Sequence, residues 1–298
     1  MTTSRRSSGD SSQKADILSQ VIVTGASAGI GRAVCKSFAA AGASVACIAR
    51  REPDLNSLVD EIKTDGGHAI AVVADVAAPG AAKTIVSKVE SELGPIDILC
   101  NNAGISRISP LAVEAEDLDV WWRVYEVNVR APVSLIRAVL PGMIERKSGV
   151  VMSVSSNVAT MALPVMTAYA SSKAAISKFH ELLVPELEGT GLLSFAVHPG
   201  VVESELGKAQ NAINFDAKDH FAMKKFMDMV TGFRQKGQVA ELPADTMVAL
   251  AAEPRCKVLT GHHINSDQNL EEVLKEAEKE GQGRIGKERL YYVNIGAL

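Results

Sequence analysis

The stretch TGASAGIG, residues 24–31, stands where a short apolar run, Gln20–Thr24, meets a helical pattern. Glycines at such a strand-to-helix turn let the backbone approach a pyrophosphate closely, and the N–H groups of the helix start hold the anion. Three glycines alone make only a tight turn, but their place directly after the first apolar run predicts a dinucleotide site. The predicted members are Gly25, Gly29, Ile30 and Gly31.

Outward from this turn, short apolar runs alternate with helical patterns as far as about residue 265. Most runs are continuous in Val, Ile, Ala and Leu, which is typical of parallel strands that helices cover on both sides. The pattern predicts an α/β fold: a doubly wound, seven-stranded parallel Rossmann sheet with helices on both faces, in a single domain. The predicted strands are Gln20–Thr24, Ser44–Ala49, Ala69–Ala74, Ile96–Cys100, Gly149–Ser153, Leu193–Val197 and Lys257–Ile264.

Four regions follow from this alternation. Residues 18–266 are expected to form the domain, and residues 267–298 a C-terminal extension that opens with a charged helical pattern. Residues 1–17 make a Ser-rich leader whose composition predicts disorder and no secretory signal. Residues 203–240 interrupt the alternation, and we expect this Met- and Phe-containing insertion to be a mobile substrate lid.

Composition excludes several classes of protein. The 298 residues carry a formal net charge of -4, whereas a nucleic-acid partner leaves a basic footprint. No stretch reaches the ~18 consecutive apolar residues of a membrane span, so no membrane partner is expected. Four scattered cysteines without a C-x-x-C pair predict buried free thiols in a reducing compartment, and hence a cytoplasmic protein. No metal site is expected, because the adjacent His262 and His263 would point to opposite faces of a strand.

The end of the second predicted strand, IARRE at residues 48–52, bears on the choice of nucleotide. An acidic side chain at this point binds the ribose 2′-OH of NAD, but Ala49 offers no carboxylate. Arg50 stands where a guanidinium meets a 2′-phosphate, and Ser27 is a second partner for that group. The motif therefore favours NADP(H) over NAD(H). Glu52 keeps NAD(H) open, as does the alternative that Arg50 and Arg51 are only solvated charges.

The motif YASSK, residues 169–173, places a phenol and an ammonium four positions apart, on one face of a helix. A positive charge beside a phenol favours the phenolate, so we expect Lys173 to lower the pKa of Tyr169 from about 10. Tyr169 would then act as a general acid or base near neutral pH. The spacing alone is common, and its plain alternative is a surface tyrosine beside a lysine.

Further polar motifs accompany YASSK. Ser156 lies 13 residues before Tyr169, Asn128 lies in the helix before the fifth strand, and NNAG at residues 101–104 closes the fourth strand. In this order, together with the glycine turn, they resemble the classical short-chain dehydrogenase/reductase family over residues 18–265. More loosely, residues 121–143 and the ending after the last strand are similar to reductases of fungal biosynthetic pathways.

The resemblance implies catalytic roles. Tyr169 would exchange a proton with the carbonyl or alcohol oxygen, and Ser156, rather than its neighbour Ser155, would hydrogen-bond that oxygen. Lys173 would bind the nicotinamide ribose and help to lower the pKa of Tyr169. Asn128 would hold a water that links Lys173 to solvent.

The resemblance also implies contacts along the nucleotide, in which Tyr169 and Lys173 share. Ala28 departs from the basic residue often seen in NADP-preferring members, and His198 is interpreted as a packing residue at a strand end. The implied contacts are Asp75 and Val76 for the adenine, Asn102, Ala103 and Gly104 for the adenosine ribose, and Pro199, Gly200, Val202 and Ser204 for the carboxamide.

Three segments should shape the substrate pocket: residues 105–111, residues 157–166 and the insertion. Their apolar side chains predict a bulky, mostly apolar carbonyl compound. The family's oligomers pair two long helices, here residues 118–145 and 167–187, which implies a homodimer or homotetramer.

We therefore expect an NADP(H)-dependent oxidoreductase that reduces such a carbonyl to an alcohol, with Tyr169 as general acid. An NAD-dependent alcohol dehydrogenase is one alternative. A non-catalytic, nucleotide-sensing protein with the same fold is another, although the complete polar set argues against it. A non-redox activity such as cyclisation or epimerisation stays open.

Overall fold

Seven parallel strands form the centre of the computed structural model, which describes residues 19–202, 206, 212–232, 238–279, 281, 283 and 285. The predicted leader and the end of the chain beyond residue 285 lie outside the described residues. The sheet order is β3-β2-β1-β4-β5-β6-β7. The strands are β1 Gln20–Thr24, β2 Ser44–Ala49, β3 His68–Val73, β4 Ile98–Asn101, β5 Gly149–Val154, β6 Leu192–His198 and β7 His263–Asn265.

Helices cover both faces of the sheet. Because successive strand residues point to opposite sides, a strand can contribute to a buried cluster on each face. Val21 and Val23 belong to one buried cluster and Ile22 to another. The first cluster takes side chains from α1, α2, α8 and α9, and the second from α3, α5 and α6. These helices, with α4 and α7, are α1 Gly29–Ala40, α2 Glu52–Thr64, α3 Ala81–Leu93, α4 Asp119–Tyr125, α5 Ala131–Arg146, α6 Thr167–Leu183, α7 Phe221–Gly232, α8 Glu241–Ala252 and α9 Leu270–Ala277.

The strand order reverses between β1 and β4. Both strands pair in parallel, with Val21 opposite Val45 on one side and opposite Ile98 on the other. A reversal of this kind opens a crevice at the carboxyl ends of the strands, where ligands of doubly wound sheets bind. The predicted doubly wound sheet with helices on both faces is confirmed, and all four cysteines are buried and free.

The prediction for the last strand was wrong in its extent. Residues 254–259 form a 3-10 helix, and β7 covers only His263–Asn265. The helical turn starts at Pro254, and the Glu253 side chain accepts from the Arg255 N–H. Cys256 and Leu259 are both fully buried, and their spacing of three places them on one face of a 3-10 helix. An apolar run without clear alternation also fits a strand buried on both faces, so the run by itself did not distinguish a strand from a 3-10 turn.

One helical run is long and apolar enough to cross a membrane by length and composition alone, residues Asp119–Arg146. It comprises α4, the π-helical turn Glu126–Arg130 and α5. In its most apolar window 44% of the residues are buried inside the chain. Its inner side packs on α3 and α6, as a core helix does.

Candidate active site

A cradle without side chains lies at the end of β1. A Cβ on Gly31 would lie 2.3 Å from the Gly25 oxygen and 2.4 Å from Asn102 Nδ2. Gly25 itself has a φ of +68°, a left-handed conformation that favours glycine. The two glycines are therefore required here by space and conformation, as a close approach of backbone to pyrophosphate demands.

The start of α1 is left open for an anion. Its N-cap residue is Ala28, which caps no N–H with its side chain, and the first turn holds no acidic residue. The N–H groups around Gly29 and Ile30 thus lack the usual side-chain acceptor and carry the positive end of the helix dipole. With the glycine cradle, this end of α1 fits a dinucleotide pyrophosphate.

Thr24 is a contributor to the cradle whose role the sequence did not reveal. Thr24 is 1% exposed, and its hydroxyl accepts from the N–H groups of Asn102 and Ala103, both at 3.0 Å. Asn102 Nδ2 in turn donates to the Thr24 carbonyl at 2.9 Å. These bonds fasten the ends of β1 and β4 together, so the glycine turn and the NNAG segment form one surface.

At the end of β2 the structure adds a contact that the sequence did not indicate. Arg51, not Arg50, contacts Ser27: Arg51 Nη2 donates to the Ser27 hydroxyl at 3.2 Å. Arg51 Nε also pairs with Asp54 at 2.7 Å. Arg50 is exposed, and its charge helps to lower the pKa of Asp75. Arg51 therefore lies beside Ser27, whereas Arg50 lies close enough to Asp75 for its charge to act there.

Asp75 follows β3, with Val76 packed on the buried cluster beneath it. The Asp75 carboxylate accepts from the Ala77 N–H at 3.0 Å and from Arg123 Nη2 at 2.7 Å. Burial opposes its ionisation, but these two donors outweigh burial and lower the pKa of Asp75. Arg123, on α4, is a partner that sequence reasoning missed, because it lies 48 residues away.

Tyr169 and Ser156 meet at the crevice. Tyr169 is 8% exposed, and a hydrogen bond with the Ser156 side chain acts to lower its pKa. Burial raises the pKa of Tyr169 to about 12, and the Ser156 hydrogen bond opposes this only in part. The expectation of a pKa below about 10 for Tyr169 is therefore wrong, because burial dominates. Lys173 Nζ lies 5.7 Å above the ring centroid and donates to the Val154 carbonyl at 2.7 Å.

Lys173 and Asn128 flank Gly104. A Cβ on Gly104 would lie 3.4 Å from Asn128 Oδ1 and 3.6 Å from Lys173 Nζ. Burial lowers the pKa of Lys173 to about 8. Asn128 sits in the π-helical turn, a feature frequent at functional sites. Its amide binds both backbone groups of Ile105 at 2.9 Å and the Ser172 hydroxyl at 3.0 Å.

The two neighbouring serines after β5 face different surroundings. Ser155 is 1% exposed and donates to the Lys173 carbonyl at 3.1 Å, and its hydroxyl lies 2.6 Å from that of Ser177. Ser156 instead reaches Tyr169. The structure thus places Ser156 in the crevice and Ser155 in the interior.

The segment after β6 borders the same crevice. Gly200 has a φ of +77°, and a Cβ there would lie 2.0 Å from Gln238 Oε1. Val202 forms a parallel bridge with Gln238, and Pro199 precedes the turn. Ser204 lies outside the described residues, so its predicted contact stays a prediction.

An apolar cluster closes over Tyr169. All three segments predicted for the pocket contribute to it, together with the ring of Tyr169 itself. Residues 203–240 are described in part, and α7 within them supplies the buried Met223 and Phe226. The other members include Ile108, Val158, Leu163, Val165, Met166, Leu206, Ile213 and Ala217.

Backbone hydrogen bonds tie these segments together. Ile108 N donates to the Ala212 oxygen at 2.5 Å, and Asn214 N donates to the Ile108 oxygen at 2.9 Å. Ser109 N donates to the oxygen of Val165, a β-branched residue with a φ of +59°. No local sequence signal indicates pairing between segments so distant in sequence. The left-handed backbone conformation of a valine has no such signal either.

No cluster of three or more His, Cys, Asp or Glu side chains suits a metal within the part of the chain that the structure describes. His262 Nδ1 lies 3.0 Å from the Leu259 oxygen, whereas His263 Nδ1 lies 3.0 Å from the Ser177 hydroxyl. The two imidazoles therefore contact different groups.

The doubly wound fold, the glycine cradle and the Ser156, Tyr169 and Lys173 group define a nucleotide-binding oxidoreductase. A family model described as short chain dehydrogenase matches residues 19–214. The chain therefore belongs to the short-chain dehydrogenase family, as its motifs predicted.

Relatives agree with this assignment. A short chain dehydrogenase of Pseudocercospora fijiensis is 66% identical over 93% of this chain and 89% of its own length. An actinorhodin polyketide ketoreductase variant solved with NADPH is 26% identical, with a TM-score of 0.72 over 83% of this chain and 95% of that one. A 7α-hydroxysteroid dehydrogenase complexed with NADH and 7-oxo glycochenodeoxycholic acid is 29% identical, with a TM-score of 0.71 over 83% and 92%. The likeness to fungal members of the family is confirmed.

Proposed function

We propose that this oxidoreductase uses NADPH to reduce a carbonyl of a bulky, mostly apolar small molecule to an alcohol. The observation that carries the proposal is the position of Tyr169, whose hydroxyl meets Ser156 while its ring belongs to the apolar cluster. A carbonyl oxygen between the two hydroxyls would accept from both, and the rest of the molecule would replace apolar contacts.

The protonated state of Tyr169 supports reduction. With a pKa of about 12, the phenol keeps its proton at neutral pH and can donate it to the developing alkoxide. Ser156 donates a hydrogen bond to the same oxygen and stabilises its charge. Lys173, with a pKa of about 8, is mainly cationic at neutral pH and stabilises the phenolate that remains. NADPH, when bound, supplies the hydride.

Arg50, Arg51 and Ser27 support the preference for NADPH. Arg51 and the Ser27 hydroxyl beside it would offer donors to a 2′-phosphate, and Arg50 adds a second exposed cation at the end of β2, while Ala49 presents no carboxylate to a ribose 2′-OH. One observation favours an NAD-dependent alcohol dehydrogenase as second candidate: Asp54 pairs with Arg51 and offsets part of its charge. The structural neighbour with bound NADH agrees with that candidate.

We also propose that the protein is a homodimer or homotetramer through the α4–α5 run and α6. Val120, Trp122 and Ile144 on the first and Leu182 on the second are between 42% and 60% exposed. Apolar side chains of this size on two long helices suit a symmetric interface. Sedimentation equilibrium tests this: a monomer at micromolar concentration contradicts it.

The function is tested by following nicotinamide absorbance with a panel of ketones and alcohols and both cofactors, for the wild type and Tyr169→Phe. We expect turnover of bulky apolar ketones with NADPH, and a loss in kcat of about 10²–10⁴-fold in the variant. Fluorescence titration should show that the variant still binds NADPH, because the glycine turn is intact and only the contact of the Tyr169 hydroxyl is lost. Equal turnover by Tyr169→Phe contradicts the role of Tyr169, and a wild type that uses NADH equally well contradicts the cofactor proposal.

A further inference from the structure

His198, at the end of β6, connects two parts of the site. It is 6% exposed, and its Nδ1 accepts from the Asn157 N–H at 3.1 Å. Asn157 directly follows Ser156 and starts a 3-10 helix, Asn157–Thr160. On its other side, His198 precedes the turn of Pro199 and Gly200 that borders the crevice. One buried imidazole therefore contacts the loop of the proposed hydrogen-bond donor and begins the neighbouring turn.

This hydrogen bond extends the sheet beyond its last backbone rung. The Ser155 N–H donates to the Val197 oxygen at 2.7 Å. Two residues later the loop has left the sheet, and the Asn157 N–H finds its acceptor in the His198 side chain instead. The bond is partly buried, so the imidazole spares the Asn157 N–H part of the cost of lacking an acceptor and restrains the loop at this point.

We propose that His198 is a positioning residue, whose neutral imidazole holds the Ser156 loop so that the Ser156 hydroxyl meets Tyr169. The inference rests on the proposed function of this site, and it replaces the packing role that the sequence indicated. The restraint matters because the bond that the Ser156 hydroxyl makes within its own loop is long: it accepts from Val158 N at 3.4 Å.

The bond to Asn157 requires a particular state of the ring. Nδ1 accepts, so the proton of the neutral imidazole lies on Nε2. Burial lowers the pKa of His198 and favours that neutral state, while the charge of Asp267 opposes the shift. Asp267 follows β7 and lies against Gly200. His263 faces His198 from β7, and burial lowers its pKa to about 4, so it is neutral near pH 7.

Acid should therefore release the loop. Protonation turns Nδ1 from an acceptor into a donor and opposes it to the Asn157 N–H. Below the depressed pKa of His198 the wild type should lose kcat, whereas NADPH binding at the glycine cradle should not change. A fall in kcat without a change in the KM for NADPH would distinguish the release of the loop from a general loss of structure.

The test compares His198→Asn and His198→Leu with the wild type in the full chain. The asparagine keeps an acceptor at the same distance from Cβ but does not titrate, and the leucine has no acceptor. We expect His198→Leu to lose about 10- to 100-fold in kcat with an unchanged KM for NADPH. His198→Asn should stay within about 3-fold of the wild type, without the fall in acid. His180→Leu, which removes a buried histidine elsewhere, should lower Tm but not kcat.

A second readout does not depend on activity. Amide hydrogen exchange in residues 155–161 should be faster in His198→Leu, and the acid-induced increase of the wild type should be absent in His198→Asn. A wild type without turnover contradicts the proposed function, while the exchange measurement still decides the role of His198. The proposal would be overturned if His198→Leu kept the kcat and the protection from exchange of the wild type. It would also be overturned if His198→Asn were as impaired as His198→Leu. If His198→Leu does not fold, an unchanged acid response in His198→Asn overturns it.

Discussion

The two halves of the candidate site are built by different means. The half proposed for the nucleotide, around β1–β3 and α1, is built mainly from backbone, with glycines that leave no room for a Cβ and an uncapped helix start, and exposed arginines lie at its border. The catalytic half, around β5–β7, α6 and α7, uses buried side chains from segments far apart in the chain. Backbone recognition is visible in local sequence, whereas side-chain recognition depends on how those segments converge.

The halves also differ in their buried histidines. His180, His198, His262 and His263 are all buried in the catalytic half. In the nucleotide half, as far as the structure describes it, the histidine is His68, which is exposed. Acid should therefore act on the catalytic half first.

The largest effect is expected at the glycine cradle, from Gly31→Ala. The added Cβ would lie 2.3 Å from the Gly25 oxygen, which is backbone and must move. We expect the Kd for NADPH to rise about 100-fold, measured by fluorescence titration. Gly142→Ala is the control, because its Cβ meets only the flexible end of Arg146 at 3.2 Å. Equal NADPH binding by both variants would contradict the cradle.

Acidification should destabilise the catalytic half. Burial lowers the pKa of His180 to about 3, below its unfolded value of about 6.5. The unfolded state therefore binds more protons between these values, so stability is full above pH 6.5 and falls towards pH 3. From pH 7 to pH 5 we expect His180 to account for a loss on the order of 2 kcal/mol in the free energy of unfolding. In urea unfolding, the loss in free energy between pH 7 and pH 5 should be smaller for His180→Asn than for the wild type by this amount. An identical loss in both proteins contradicts the role of His180.

A smaller effect is expected at the apolar cluster, from Phe226→Ala. Phe226 is 7% exposed and lies in the cluster with Tyr169, whereas Phe221 on the same helix is 78% exposed. We expect Phe226→Ala to lower kcat/KM for bulky ketones about 10-fold, or roughly 1.4 kcal/mol, and to change NADPH binding little. Phe221→Ala is the matched control. If both variants behave alike, α7 does not shape the pocket.

The smallest effect is expected from Arg51→Ala, compared with Arg50→Ala. Because the Arg51 side chain is 53% exposed, solvent screens its charge, and we expect the KM for NADPH to rise only about 5-fold. The KM for NADH should not change in either variant. An effect of Arg50→Ala alone would show that the contact of Arg51 with Ser27 is not used.

The strands and most residues of the candidate site could be predicted from sequence patterns, because these depend on local signals. Apolar runs marked six of the seven strands to within two residues. The 13-residue spacing selected Ser156, and the structure places Ser156, not Ser155, against Tyr169. The extent of β7 was predicted wrongly, because an apolar run without clear alternation fits both a buried strand and a 3-10 turn.

Other properties had no local signal. The raised pKa of Tyr169 depends on how deeply α6 is buried, and the contact of Arg51 with Ser27 depends on how β2 meets the glycine turn. The link from His198 to Asn157 joins residues 41 apart. Each is a matter of packing between elements that periodicity does not relate.

The sequence by itself determined the sheet, the glycine turn and the order of Asn128, Ser156, Tyr169 and Lys173. These follow from steric demands and side-chain periods that act within a few residues. Tertiary structure decided which guanidinium meets Ser27, which side chain accepts from the Asn157 N–H and in which direction the pKa of Tyr169 moves. Hydrogen bonds, charge and desolvation act over a few ångströms of space, and only the folded chain sets which groups are that close.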